Sequence, residues 1–179
     1  MLSAKIVPPV AADTEYADMR AAYDALPAEM KAQCEGLRVH HSIAHSRQTL
    51  GFEFSESEQE ALKGAIHPLI RTIPRSGRRS LYVASHASRI IDWPVPEGRL
   101  LLRDLIEHAT QPKFVYRHEW RVGDLVIWDN RATMHRGSRS TTRSTAASSA
   151  ASLPSTSPEP ACVVVIRQVP ETVAQSPAA

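Results

Sequence analysis

Eight histidines in 179 residues are the side chains best suited to hold a metal or move a proton near neutral pH. His40, His41 and His45 cluster in RVHHSIAHSR. Two of them stand four residues apart, which would set both on one helix face as a zinc pair requires. No glutamate follows the first and no third ligand is evident, so the segment does not make a zinc motif. His67 precedes Pro68 and reads as loop. His108 falls at the end of a leucine-bearing helix, where the negative end of the dipole suits it. His118 alternates with aromatic residues along a strand and reads as a packed structural histidine. His135 differs by its company. In GDLVIWDNRATMHRGS, from Gly123 to Ser138, an apolar strand runs into a polar D-N-R turn, and the imidazole follows immediately before Arg136-Gly137.

Recognisable elements would position these groups. Asp13 or Thr14 is suited to cap a helix in which Met19, Ala22, Tyr23 and Leu26 recur at helical spacing, with Pro27 ending it. A second short helix starts at Pro27 and ends near Gly36. Ser55 and Glu58 have capping-box spacing and would open a polar helix toward Lys63. Leu69 to Ile73 and Ser80 to Val83 predict two strands around the turn RSGR, with Gly77 supplying any positive φ. Pro96, Glu97 and Gly98 lead into a helix burying Leu101, Leu102, Leu105 and Ile106. Phe114, Tyr116, His118 and Trp120 alternate as a strand does, Val122-Gly123-Asp124 turns the chain, and Leu125 to Trp128 is the returning strand. The succession is α+β. It lacks the regular alternation of a doubly wound sheet and has no glycine-rich phosphate loop, which argues against nucleotide-binding folds.

Composition narrows the classes further. A formal charge of +2, from 21 basic and 19 acidic side chains, is too small to define a nucleic-acid surface. No run of about 18 apolar residues exists to span a membrane, and the N-terminus does not read as a secretory signal. Two cysteines, Cys34 and Cys162, are too few for a disulfide framework or zinc module, so a soluble, cytoplasmic protein is the default. The charge is uneven: beyond residue 130 the only acidic residues are Glu159 and Glu171. From Ser138 to Ser157, 16 of 20 residues are Ser, Thr or Ala. Such a stretch buries too little to offset its ordering entropy and is expected to be disordered. Val163 to Ile166 could form a strand, although Pro158, Pro160 and Pro170 crowd it. The chain thus divides into an ordered part, residues 1–137, and a low-complexity tail, 138–179.

The W-D-N-R-x-x-x-H-R-G string resembles the segment around the distal metal-binding histidine of the TauD/TfdA family of Fe(II)- and 2-oxoglutarate-dependent dioxygenases. The likeness extends through EHATQPKFVYRHEWRVGDL, ASHAS at Ala84 to Ser88, and DTEYADMRAAYDALP at Asp13 to Pro27. It is similar to the 2,4-dichlorophenoxyacetate branch more than to the taurine branch. The resemblance implies an incomplete double-stranded β-helix, or jelly roll, with flanking helices. It implies hydroxylation of a small organic acid, such as an aryloxyalkanoate, coupled to decarboxylation of 2-oxoglutarate. His135 corresponds to the distal ligand of a 2-His-1-carboxylate facial triad for Fe(II). Thr14 corresponds to the threonine that contacts 2-oxoglutarate, with Ala11 and Ala12 where the family has two glycines. His86 is similar to a histidine near the substrate carboxylate; a hydrogen-bonded structural role stays open for it.

The other two iron ligands of such enzymes form an H-x-D or H-x-E motif. Two residues beyond the eight histidines stand Ser42, Ile43, Arg47, Leu69, Ser88, Thr110, Trp120 and Gly137, none a carboxylate. The motif is expected before the first residue, as in an N-terminally truncated catalytic domain. The family arginine about a dozen residues beyond the distal histidine falls in TAASSAAS, with Arg139 and Arg143 too early to match it. Little independent Fe(II)-dependent turnover is therefore expected. Two other readings stand beside it: a non-catalytic remnant binding a small carboxylate through Arg71, Arg78 and Arg79, and an unstable gene fragment with exposed sheet edges. Homo-oligomerisation is left open.

Overall fold

The structure is a computed structural model that describes residues 1–7, 13–49, 51, 53–55, 58, 62–137 and 163–166. The first strands are β1, Leu2–Ser3, and β2, Thr14–Asp18. Helix α1, Met19–Asp24, follows directly. The expected cap at Asp13 or Thr14 is corrected here. Thr14 lies in a strand whose alternation TEYAD is satisfied by partners on both sides, and Asp18 caps the helix by accepting from Arg20 N at 2.9 Å and Ala21 N at 3.2 Å. Helix α2 spans Ala28–Cys34 after Pro27, and Gly36 follows it with φ of 73°, as expected of a chain leaving a helix.

Strand β3, Arg38–His41, lies between β4, Ala65–Pro68, and β7, Ala87–Ile90. His67 is therefore a strand residue, not loop. His41 closes β3 whereas His45 sits in α3, Ile43–Gln48, so the two never share a helix face. The Ser55 and Glu58 capping box forms, with Ser55 N donating to Glu58 Oε2 at 2.9 Å; most of the helix expected after it lies outside the described residues. Strands β5, Ile70–Thr72, and β6, Arg79–Leu81, make the expected hairpin, Gly77 at φ of 65°.

Helix α4, Val95–Ala109, starts with proline in its first turn and buries Leu101, Leu102 and Leu105 against β7 and α1. Each such leucine contributes about 1.5–3 kcal/mol. They join Met19, Tyr23, Leu26, Cys34, Val39, Leu69, Leu81 and Ile90 in the main core. Burial raises the Cys34 thiol to about 11. His108, in the last turn of α4, donates from Nε2 to Ala22 O at 2.9 Å.

A 3₁₀ turn at Pro112–Phe114 leads into β8, Val115–His118; β9 is Leu125–Trp128 and β10 is Thr133–Gly137. The expected β8–β9 hairpin does not form. The strands lie in different sheets, ordered β10-β2-β8 and β1-β9-β11, where β11 is Val163–Ile166, all antiparallel. The linking residues turn over the sheet edge because Asp124 is held inside, accepting from Arg121 N at 2.9 Å and lying 3.0 Å from His118 Nε2. Tyr16 and Val126 pack the two sheets face to face, with Tyr116, Trp120 and Trp128 around them. Strand β11, Val163–Ile166, pairs with β9 from Val163↔Trp128 to Ile166↔Leu125. The strand that Val163 to Ile166 could form is thus present, paired with β9; the remainder of 138–179 lies outside the described residues. Among the described residues the strands make small sheets and no closed barrel. No helix among them is long and apolar enough to cross a membrane.

Candidate active site

The W-D-N-R string builds a rigid turn. Asp129 accepts from Arg131 N at 2.9 Å and from its guanidinium at 2.8 Å, and Ala132 N donates to Asp129 O at 3.0 Å. These contacts, the Arg131 hydrogen bond first, hold the Asp129 carboxyl below its ordinary range. Asn130 Oδ1 accepts from Trp128 Nε1 at 2.6 Å and so fixes the indole. The indole in turn faces His135, ring centroids 4.9 Å apart. Next in the string, Arg136 Nε donates to Glu15 Oε2 at 2.6 Å.

His135 pairs in register with Tyr16, and their rings stack at 6.0 Å. Side chains on a strand alternate between faces, so Thr14, two residues before Tyr16, shares the His135 face one diagonal step along the sheet. Thr14 is buried, opposite Gly137 on one side and His118 on the other, and its Oγ1 accepts from Trp120 Nε1 at 3.0 Å. Burial raises the Tyr16 phenol, an effect the neighbouring Thr14 hydroxyl opposes. Partial burial, then the chain's own N-terminal ammonium, lowers the pKa of His135. The ring is neutral at pH 7, the state in which its nitrogen can ligate a metal.

A cavity of about 1210 Å³ is lined by His135, Arg136, Tyr116, Tyr82, His41 and His86, among others. The structure thus brings His86 and His135 to one cavity and Thr14 and His135 to one sheet face. His41 was not singled out as a cavity residue by the sequence. It is 6% exposed, and neither ring nitrogen has a hydrogen-bond partner among the described residues. Its ring lies 4.9 Å from that of His86, 5.1 Å from Tyr82 and 5.7 Å from His67. Burial, followed by the charges of His86 and His67, pulls His41 down to about 4. Burial also lowers His86, with His67 adding to it. His40, by contrast, is anchored to Ser88 Oγ at 2.7 Å and Lys63 O at 2.8 Å. His118 is fully buried beside Asp124, the structural role expected of it.

The donor set tests the implied Fe(II). Among the described residues no three His, Cys, Asp or Glu side chains converge to hold a metal, so His135 stands as one neutral imidazole and the residues present do not complete an iron site. The arginines suggested for a carboxylate-binding remnant are engaged: Arg78 pairs with Asp24 at 2.6 Å, Arg79 with Glu35, and the Arg71 guanidinium lies 3.6 Å over the Tyr82 ring.

The fold is that of dioxygenase-type chains. A solved structure of AAD-2 in complex with Mn(II) and N-oxalylglycine superposes with a TM-score of 0.75 at 55% identity, covering 77% of this chain and 55% of the other. A taurine dioxygenase from Burkholderia xenovorans gives 0.61 at 33%, covering 75% and 43%. The chain belongs to the taurine catabolism dioxygenase TauD, TfdA family, whose model matches residues 1–146. It is 57% identical over 140 residues to the alpha-ketoglutarate-dependent 2,4-dichlorophenoxyacetate dioxygenase of Burkholderia sp. (strain RASC), covering 78% of this chain and 47% of that protein. To the (S)-phenoxypropionate/alpha-ketoglutarate-dioxygenase of Sphingobium herbicidovorans it is 39% identical over 145 residues, covering 77% and 50%. The chain spans about half the length of the curated relatives it matches.

Proposed function

We propose that this chain is the His135-bearing portion of an Fe(II)- and 2-oxoglutarate-dependent dioxygenase that hydroxylates small organic acids, aryloxyalkanoates foremost. The observation that carries the reading is the β2–β10 register, which sets Thr14 and His135 on one face within a family member 57% identical to a 2,4-dichlorophenoxyacetate dioxygenase. In this reading His135 supplies one iron ligand, the Thr14 hydroxyl binds a carboxylate of 2-oxoglutarate, and His86 lines the organic-acid end of the cavity. The two facing sheets are part of a jelly roll, residues 1–137 are its C-terminal portion, and the protein works in the cytoplasm.

With one imidazole at the site, turnover by the chain alone is expected to be absent or slight, since a single histidine does not impose a facial geometry. The test is 2-oxoglutarate decarboxylation by the purified chain with Fe(II) and ascorbate, with and without an aryloxyacetate. Robust turnover that His135→Ala abolishes would overturn the expected inactivity and support the dioxygenase reading. Robust turnover that survives His135→Ala would sink the role of His135.

A further inference from the structure

Strand β11 lies beyond residues 1–146, the span that the family model matches, so it belongs to this chain's own tail. Its place in the sheet is specific. Strand β1 covers only one end of β9, pairing Leu2 with Val126 and Ser3 with Leu125. Ile127 and Trp128 have no partner in β1, so among the described residues β11 is their only neighbouring strand, through Val164↔Ile127 and Val163↔Trp128. A strand end without such a neighbour leaves its N–H and C=O groups to water or to another chain. Trp128 is also the residue whose side chain walls the site. Its Nε1 donates to Asn130 Oδ1 at 2.6 Å, and its indole packs against the rings of Tyr16 at 5.4 Å and His135 at 4.9 Å. The same chain can supply β11 without strain. Trp128 stands one turn before β10, so the way back from Gly137 to the Trp128 end of β9 is on the order of 15–20 Å, about the rise of a five-residue strand. Twenty-five residues, 138–162, separate Gly137 from Val163, and a coil of that length reaches about 25–30 Å on average.

We propose that Val163–Ile166 is a positioning strand for His135: by pairing along β9 it fixes the Trp128 backbone, and through it the indole that walls the imidazole. Its bearing on the reaction rests on the His135 reading above, whereas the positioning itself is read with no metal or cosubstrate present. The residues suit the task, since three valines and an isoleucine are β-branched and favour extended backbone. The tether keeps the strand near its own β9 at a roughly millimolar effective concentration, which a second copy at micromolar concentration does not match. Groups that hold a ligating histidine in place typically matter to its use nearly as much as the histidine does.

The test is NMR on the full chain without metal, comparing the unmodified protein with Val164→Pro/Val165→Pro and with Val164→Ile/Val165→Ile. Successive N–H groups of a strand point to opposite edges, so the two prolines together remove the one that faces β9. In the proline variant the Ile127 and Trp128 amides should exchange about tenfold faster or more, and the cross-relaxation between the Trp128 indole and the His135 ring should fall at least about twofold. The Trp93 indole, which packs against the main core, should keep its position, and the isoleucine variant should match the unmodified chain throughout. Faster exchange with an unchanged Trp128–His135 contact overturns the inference, because the strand would then pair without positioning. Unchanged exchange overturns it as well. Should the proline variant fail to fold, the unmodified chain serves instead. Contacts between the β11 and β9 backbones within one chain are expected, and their absence overturns the inference. So does their appearance only between differently labelled copies, since a second copy would then supply the strand. None of these outcomes depends on Fe(II), so loss of the metal reading of His135 in the turnover assay is told apart from loss of this one.

Discussion

His118 and Asp124 are joined across the sheet edge, Nε2 3.0 Å from Oδ2, with the imidazole fully buried and the carboxylate nearly so. That pair decides the path of the chain between β8 and β9, since the carboxylate also accepts the Arg121 N–H. Asp124→Ala strips both contacts and leaves buried polar groups unsatisfied. Urea denaturation is expected to show a loss of about 1–3 kcal/mol, whereas Asp124→Asn, which keeps an acceptor for Arg121 N, should lose less. Equal stability of Asp124→Ala and the unmodified chain would rule out this account of the turn.

The pH dependence of stability should carry the signature of His41. Its ordinary value is 6.5 and burial takes it to about 4, so above both values it is neutral in either state and contributes nothing. Between them the unfolded chain binds a proton that the folded chain refuses, and stability falls as pH falls. Over that window the loss is on the order of 3 kcal/mol, and His45, His67, His86 and His135, all lowered too, act in the same direction. His41→Phe is expected to flatten the slope between pH 6.5 and 4 in denaturant midpoints. An unchanged slope would mean that His41 titrates normally.

Gly64 approaches the β3 backbone so closely that a Cβ there would sit 2.0 Å from His41 O, and its φ is 78°. Gly64→Ala therefore meets both a clash with backbone and a left-handed conformation. A loss of at least about 1–3 kcal/mol is expected, read as a lower denaturant midpoint, together with a changed His41 environment in its imidazole NMR signals. A neutral Gly64→Ala would show that the β3–β4 approach is looser.

His135→Ala separates chemistry from folding. The side chain is half covered by the Tyr16 and Trp128 rings and keeps solvent access, so stability should change by no more than about 0.5 kcal/mol. A lone imidazole makes a weak site, so added Mn(II) is expected to broaden nearby imidazole and aromatic resonances only at high metal concentration in the unmodified chain, and not in the variant. Broadening that persists in the variant would put the metal elsewhere.

Local signals were legible where local physics decides. The leucines of α4 and its first-turn proline, the Gly77 hairpin and the Ser55–Glu58 capping box all form as the residues suggest, because each depends on neighbours a few positions away. The cap at Asp18 was misread because Asp13 and Asp18 offer the same chemistry, and only pairing with β8 and β10 makes Thr14–Asp18 a strand. The β8 and β9 strands were found but mispaired, since the buried pair that sends them to different sheets cannot be read from alternation. The cavity wall was hidden for a related reason: His41, Tyr82 and His86 meet only after β3 and β7 pair. His135 was found through its neighbours, whose contacts turn out to be the scaffold of the ring itself.

The raised thiol of Cys34 has a practical corollary. At neutral pH it is almost wholly protonated and walled in by the main core, so an alkylating reagent meets it only when that core opens. In a Cys162→Ser background, its rate of modification becomes a clock for the opening of the helices and strands that seat the site, readable at native conditions without any assay of function.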